Sequence, residues 1–191
     1  MKVSNVEIQA MVVEKTRQLV LTRGLKGWNM VDLAKQSGLA KQTLYRIIGS
    51  KENVVERVVL SQMEQTFGYL DRVIGECADY REFANRFLEE GPAFLSKVKR
   101  VTLPEIYREY PAIEKKATEY QMKVYSTRIG FFQRAMDDGY LRDDITPEFL
   151  LDLARGGILE HYIRSGLTGE KLQKTLELAF QCLHEGTKAR D

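Results

Sequence analysis

The segment NMVDLAKQSGLAKQTLYRIIGSKENVVERVV, residues 29–59, contains two short helical patterns that are separated by a tight turn. Asn29 can cap the first helix, and Asp32 completes the capping pattern three residues later. The apolar residues that follow have the spacing of one helix face: Met30, Leu33 and Ala34. Ser37-Gly38 ends this helix, because glycine takes the left-handed conformation of a tight turn. Two helices joined by a short turn containing Gly are typical of the helix-turn-helix motif.

The second helix, predicted at about residues 40–46, carries polar side chains of the kinds that read DNA. In the major groove Gln pairs with adenine, and Arg or Lys pairs with guanine. Tyr45 and Lys51 are better suited to phosphates, which fix the register of the protein on the duplex. The candidate DNA-binding residues are Asn29, Lys41, Gln42, Thr43, Tyr45, Arg46 and Lys51, with Arg17 as a further candidate for the backbone. The alternative is a solvated polar face without a ligand.

The same segment resembles the DNA-binding motif of the tetracycline-repressor (TetR) family of bacterial transcription regulators. The matching residues are Asp32-Leu33-Ala34, Gly38-Leu39, Thr43-Leu44-Tyr45 and Ser50-Lys51-Glu52. With the preceding helix, the resemblance covers about the first 60 residues. Ala40 stands where the family usually has Ser or Thr, so a side-chain cap on the reading helix is lost. The resemblance implies a homodimer whose two C-terminal helices form a four-helix interface with the partner.

Helical periodicity through the rest of the chain predicts an all-α fold of about nine helices. We expect a DNA-binding domain in residues 1–50 and a ligand-binding and dimerisation domain in residues 51–191, joined by a long helix over 51–75. A helix over 80–98 is predicted to break at Gly91-Pro92. Thr146-Pro147 is predicted to open a helix that continues to Gly166.

The C-terminal domain is predicted to hold a small apolar or aromatic effector, because it is rich in aromatic residues at helical spacing. The candidates for its pocket are Phe67, Phe87, Phe94, Tyr107, Tyr110, Tyr120, Tyr125, Phe131 and Tyr162; each has the alternative of being ordinary core. The candidates for the dimer interface are Leu153, Gly157, Ile158, His161, Leu172, Leu176, Ala179, Phe180 and Leu183.

Charge is unevenly distributed along the 191 residues. Residues 1–60 hold ten Lys or Arg and five Asp or Glu, a balance of +5, whereas the remainder holds 19 and 22, a balance of −3. A basic N-terminal part suits a DNA-binding domain. The two cysteines lack metal-ligand spacing, and no apolar run approaches the length of a bilayer span. We therefore expect a cytoplasmic protein with no metal and no cofactor.

Two other classes of function are weighed against a DNA-binding regulator. An enzyme is disfavoured, because the only histidines are His161 and His184 and neither has a nucleophile and an orienting acid at a recognisable spacing. A helical ligand carrier or architectural protein with non-specific DNA binding is the second alternative. It differs from the regulator in predicting no preference between DNA sequences.

Overall fold

The computed structural model describes residues 5–98, 101, 103–159 and 167–189. These residues form nine α-helices, and within them β structure is limited to an isolated bridge between Leu141 and Lys188. The helices are α1 (Asn5–Arg23), α2 (Met30–Ser37), α3 (Lys41–Ile48), α4 (Lys51–Glu76), α5 (Tyr80–Lys97), α6 (Leu103–Glu109), α7 (Pro111–Asp137), α8 (Pro147–Ala154) and α9 (Gly169–Thr187). The predicted all-α fold of about nine helices is confirmed.

The chain forms two compact units. Unit 1 comprises Met1–Glu64 and Lys99–Thr118, and unit 2 comprises Gln65–Val98 and Glu119–Asp191. The boundaries fall inside α4 and α7, so each of these helices contributes residues to both units.

Unit 1 has an aliphatic core to which α1, α2, α3 and the first half of α4 all contribute. These side chains recur every three or four residues and so share one face of each helix. The completely buried members are Val12, Leu19, Leu33, Leu44, Val54, Val55, Val58 and Val59. Packing of this kind fixes the helix-turn-helix segment on α1 and α4.

Unit 2 has an aromatic core in two clusters. In the first, Tyr69 of α4 stacks on Phe94 of α5 with ring centroids 4.1 Å apart. In the second, Phe87 of α5 stacks on Phe180 of α9 at 4.5 Å. Such ring pairs contribute about 0.5–1.5 kcal/mol each beyond the area that they bury.

The predicted break at Gly91-Pro92 is wrong, because α5 continues through both residues to Lys97. Both residues are buried in unit 2, where α9 packs on this part of α5. A Cβ atom at position 91 would lie 2.6 Å from Cε2 of Phe180, so glycine is needed here for close approach. Tertiary packing therefore stabilises a helix that local propensity would interrupt.

The helix that begins after Thr146 is α-helical from Pro147 to Ala154. Thr146 caps it as expected, with its Oγ1 accepting from the amide of Phe149 at 3.2 Å. After Ala154 the backbone forms a π-helical turn over Arg155–Leu159, which contains Gly156-Gly157. The predicted continuation to Gly166 lies outside the described residues.

Candidate nucleic-acid interface and ligand cavity

Asn29 fixes the start of α2 through a complete capping box. Its Oδ1 accepts from the amides of Val31 at 2.8 Å and Asp32 at 3.1 Å. The Asp32 carboxylate accepts in return from the Asn29 amide at 2.9 Å. The predicted cap is therefore present, and the side chain of Asn29 remains exposed at the surface of unit 1.

The turn between α2 and α3 is set by Gly38, whose φ of +63° lies in the left-handed region. The Gly38 amide donates to Lys35 O at 3.3 Å, and the Leu39 amide donates to Ala34 O at 3.0 Å. This pair of bonds satisfies carbonyls that the end of α2 would leave without donors. A side chain with a Cβ atom would be strained at position 38, so this glycine sets the angle between the two helices.

Helix α3 has one buried apolar side and one exposed polar side. Leu44 and Ile48 are buried in unit 1. The exposed side chains are Lys41, Gln42, Tyr45 and Arg46, and Thr43 is half-buried. The lost side-chain cap at Ala40 is confirmed. The exposed face contains the residue types that contact base edges and phosphates, and no acidic residue lies within α3.

Lys51 does not belong to that exposed face. Its Nζ donates to Leu25 O at 2.7 Å and to Trp28 O at 2.6 Å, and it lies 4.3 Å from the centroid of the Trp28 ring. Burial lowers the pKa of Lys51, although Glu109 and Asp32 act in the opposite direction. The ammonium group therefore tethers the segment between α1 and α2 to the start of α4. A phosphate contact by Lys51 would require it to give up these bonds.

Arg17 is also internal. Its side chain is buried, contacts Glu14 at 3.3 Å and donates to Ser61 Oγ at 3.2 Å. A contact of Arg17 with the DNA backbone would require its guanidinium group to leave these partners on α1 and α4.

Comparison with known proteins gives no match to a protein-family model and none to a curated protein sequence. Solved structures do match over nearly the whole chain. A TetR transcriptional regulator from Chloroflexus aurantiacus J-10-FL has a TM-score of 0.76 at 17% identity, covering 97% of this chain and 98% of the other. A transcriptional regulator of the TetR family from Cytophaga hutchinsonii has a TM-score of 0.72 at 17% identity, covering 100% of both chains.

A third similar structure is the ketosteroid transcriptional regulator KstR2 of Mycobacterium tuberculosis. Its TM-score is 0.62 at 15% identity, and the alignment covers 95% of each chain. The chain has the TetR-family fold. At these identities the similarity establishes the architecture. The resemblance, first seen in the segment that forms α2 and α3, therefore extends to the fold of nearly the whole chain.

Unit 2 of this TetR-family fold contains a cavity of about 100 Å³. Its lining is mainly apolar and comes from α4, α5, α7, α8, α9 and the π-helical turn: Thr66, Phe67, Tyr69, Leu70, Phe87, Leu95, Tyr125, Arg128, Leu151, Ala154, Arg155, Ile158 and Phe180. A second cavity of about 80 Å³ shares five of these residues and so adjoins the first. An apolar cavity with a few polar groups is the usual form of a small-molecule site.

Three of the nine aromatic residues predicted for the pocket line the cavity: Phe67, Phe87 and Tyr125. Phe94 lies behind Tyr69 in the core, and Phe131 packs on Phe83 in the first cluster. Tyr120 contacts Phe67 from outside the lining, with ring centroids 6.2 Å apart. Tyr107 and Tyr110 are in unit 1, and Tyr162 lies outside the described residues. Helical periodicity identified apolar faces but not which faces meet at a cavity.

Arg128 is the most informative lining residue, and the sequence analysis missed it. Its side chain is only 2% exposed. Its Nε donates to Asp71 Oδ1 at 2.9 Å, and its Nη2 donates to the Phe67 carbonyl of α4 at 2.8 Å. Burial lowers the pKa of Arg128, while Asp71 favours its charged form. The signal in the sequence was an arginine three residues after Tyr125, on a side of α7 that is otherwise apolar.

Four of the eight described residues that were predicted for the dimer interface are buried within unit 2. Leu172, Leu176 and Phe180 are at most 2% exposed, and Ile158 is 7% exposed. Their apolar face therefore packs on α5 and cannot also cover a partner. Ala179 and Leu183 are half-buried beside them, while Leu153 and Gly157 are exposed. His161 lies outside the described residues.

Other apolar groups on these helices are exposed. Phe149 is 55% exposed on α8, one turn before Leu153 at 43%. Leu178 of α9 is 63% exposed, and Cys182 lies one turn further along the same side. The amphipathic pattern of α9 did predict an apolar side, but that side is covered by α5.

The described ranges contain no candidate metal centre and no candidate membrane span. In those residues no group of three or more His, Cys, Asp or Glu is placed to hold a metal ion. None of their helices combines the length and the apolar character that a membrane span requires.

Proposed function

We propose that this protein is a transcription regulator, acting as a repressor, that binds a near-palindromic operator as a homodimer. The observation that carries the proposal is the exposed polar face of α3, presented by a capped helix-turn-helix inside a whole-chain TetR-family fold. The N-terminal part of a reading helix in such a motif enters the major groove. Gln42 and Arg46 are assigned to base edges, and Lys41, Thr43, Tyr45 and Asn29 to phosphates.

The homodimer is proposed to form through the exposed apolar side chains of α8 and α9. Phe149, Leu153 and Leu178 lie on helices that contact each other in unit 2. Gly156 and Gly157 are exposed, and open space surrounds the position of a Cβ at each. A second copy of these helices would cover this surface and give the two-fold symmetry that a palindromic site requires.

DNA affinity is proposed to depend on a small molecule in the cavity of unit 2. Thr66, Phe67, Tyr69 and Leu70 of the cavity lining belong to α4, whose first half belongs to unit 1. A ligand that prefers one arrangement of α4 can shift DNA affinity only by its difference in affinity for the two arrangements. Helix α4 is therefore the proposed link between ligand and DNA.

The deciding experiment is selection of bound sequences from a randomised duplex pool, followed by mobility shift at physiological salt. We expect enrichment of an inverted repeat. Replacing Arg46 or Gln42 by Ala should relax the preference at one base position, by about 1–3 kcal/mol. Lys41→Ala should instead weaken binding to all sequences and reduce the slope of log K against log salt by about 1.

Lys171→Ala is the matched control, since it removes an exposed lysine from α9 and should leave DNA binding unchanged. Binding that is salt-dependent but enriches no sequence would contradict the proposal. That result would favour the architectural protein or carrier.

A further inference from the structure

The polar groups that line the cavity of unit 2 are all either neutral or positively charged. They are Thr66, Tyr69, Tyr125, Arg128 and Arg155, and no carboxylate is among the described lining residues. The remaining lining is aliphatic or aromatic. An apolar site bearing two guanidinium groups favours one ligand class by charge complementarity.

We propose that the effector is an amphipathic anion, a carboxylate carried on an aromatic or alkyl body, with its carboxylate bound by Arg128, Arg155 and Tyr125. This assignment rests on the proposed regulatory function and names the chemical class that the cavity selects.

Arg128 supplies the buried charge. Its described hydrogen bonds use Nε and Nη2, and none of them uses Nη1. A planar guanidinium group can hold a carboxylate through two parallel bonds. At 2% exposure this group is shielded from water. Its attraction to an anion is stronger in such a low-dielectric interior than in water.

Tyr125 and Arg155 are two further polar groups in the lining of the cavity. The Tyr125 hydroxyl accepts from Gln121 Nε2 at 3.0 Å, so its own hydrogen is available for donation. Burial raises the pKa of the Tyr125 phenol, so this group stays protonated and can donate. All three groups line the same cavity. Arg155 is half-exposed and begins the π-helical turn, a distortion that is frequent at functional sites.

Both arginines already have carboxylate partners at the rim. Asp71 of α4 contacts Arg128 at 2.8 Å, and Asp152 of α8 contacts Arg155 at 3.1 Å. Both aspartates are more than half exposed, so water can solvate them when an arginine turns to the ligand. The ligand carboxylate competes with Asp71 for Arg128. Because Asp71 is on α4, this exchange changes how α7 holds α4.

The apolar part of the cavity sets the size of the body. An engineered apolar cavity of about 150 Å³ binds benzene. Two adjoining cavities of about 100 and 80 Å³ are thus of the size needed for a phenyl ring with a short alkyl chain. Phe67, Phe87 and Phe180 supply aromatic surface for such a body.

The test is calorimetric titration of the full chain, without DNA, with three probes that share one body: 4-phenylbutyrate, 4-phenylbutanol and 4-phenylbutylamine. The acid should bind about tenfold or more tightly than the alcohol, and the amine should bind most weakly, because only the acid brings a negative charge to the two guanidinium groups and the amine brings a positive one. Equal binding of acid and alcohol, or no binding of the acid, would overturn the proposal. Since the measurement needs no operator, its result is independent of whether the protein reads DNA sequence.

Two variants of exposed residues separate recognition of the headgroup from folding. Arg155→Gln should weaken binding of the acid about fivefold or more and leave binding of the alcohol unchanged. The control Arg134→Gln, on the exposed surface of α7, should change the affinity for neither probe. Asp71→Asn should strengthen binding of the acid severalfold, because it removes the carboxylate that competes for Arg128. The control Asp138→Asn, at another exposed aspartate, should leave this affinity unchanged. Equal weakening of acid and alcohol by Arg155→Gln, or weaker acid binding in Asp71→Asn, would contradict the assignment.

Discussion

At the scale of single residues, the ammonium group of Lys51 illustrates how a charged side chain can belong to the interior. Two backbone carbonyls, of Leu25 and Trp28, accept from it, and an aromatic ring lies against it. These carbonyls follow the end of α1, where the helix itself supplies no donors. The position of α2 relative to α4 within unit 1 depends on this contact.

Lys51→Met should therefore destabilise the protein. The substitution keeps the aliphatic stem but leaves two carbonyls without their donor, at a cost of about 1–3 kcal/mol in the free energy of unfolding. Urea denaturation measures this free energy. The control is Lys41→Met on exposed α3, which should change stability by less than about 0.5 kcal/mol. If both variants keep wild-type stability and both weaken DNA binding, Lys51 is instead a phosphate contact.

Tyr80 gives a pH dependence with a definite sign. Burial raises the pKa of its phenol to about 12, above the ordinary value of 10.0. A pKa that is higher in the folded state contributes stability that is complete below pH 10 and is lost as pH rises through 12. The free energy of unfolding should fall by about 1 kcal/mol between pH 9 and 11 from this group. When urea denaturation is measured across that pH range, the free energy of unfolding of Tyr80→Phe should fall less than that of the wild type. An equal fall in both proteins would exclude Tyr80 as the source of the pH dependence.

At the scale of secondary-structure elements, the helix-turn-helix could be predicted from the sequence because its signals are local. The capping box at Asn29 and the left-handed Gly38 each act within a few residues, and both are present. The course of α5 could not be predicted in this way, because Gly91-Pro92 is locally unfavourable in a helix. Only its contact with Phe180, far away in sequence, reveals why the helix continues.

The packing of α5 on α9 predicts an unusual response to a glycine substitution. Gly91→Ala should lower the free energy of unfolding by about 1–3 kcal/mol, because its Cβ would lie 2.6 Å from the Phe180 ring. The control is Gly130→Ala on α7, where a Cβ meets nothing within 4 Å. That change should stabilise by up to about 1 kcal/mol, the difference in helix propensity. Equal effects in thermal or urea denaturation would contradict close packing at position 91.

At the scale of the whole molecule, an amphipathic pattern does not say what covers an apolar face. The periodicity of α9 predicted its apolar side correctly, yet Leu172, Leu176 and Phe180 pack against the same chain. Arg128 was missed for a related reason, since its partners Phe67 and Asp71 are about 60 residues away in sequence. Such information exists only in the assembled unit 2. The surface proposed for the homodimer is the set of exposed apolar groups on α8 and α9.

Leu178→Asp tests that surface. The side chain is 63% exposed, so the change should hardly affect the folding of one chain, whereas an aspartate buried in an apolar dimer interface costs several kcal/mol. We expect a rise in the dimer dissociation constant on the order of a hundredfold or more. Sedimentation velocity should detect a dimer of 22.0 kDa chains in the wild type and monomers in the variant.

The matched control for this substitution is Met122→Asp, which changes an apolar residue that is 62% exposed on α7 and should leave the dimer intact. A monomeric variant should also bind the inverted repeat much more weakly, because two α3 helices are then no longer held at the spacing of the half-sites. Its binding to a single half-site should remain at the level of the wild type. If Leu178→Asp stays dimeric, the chains associate through another surface. Helices α8 and α9 then do not form the two-fold interface that would match the operator.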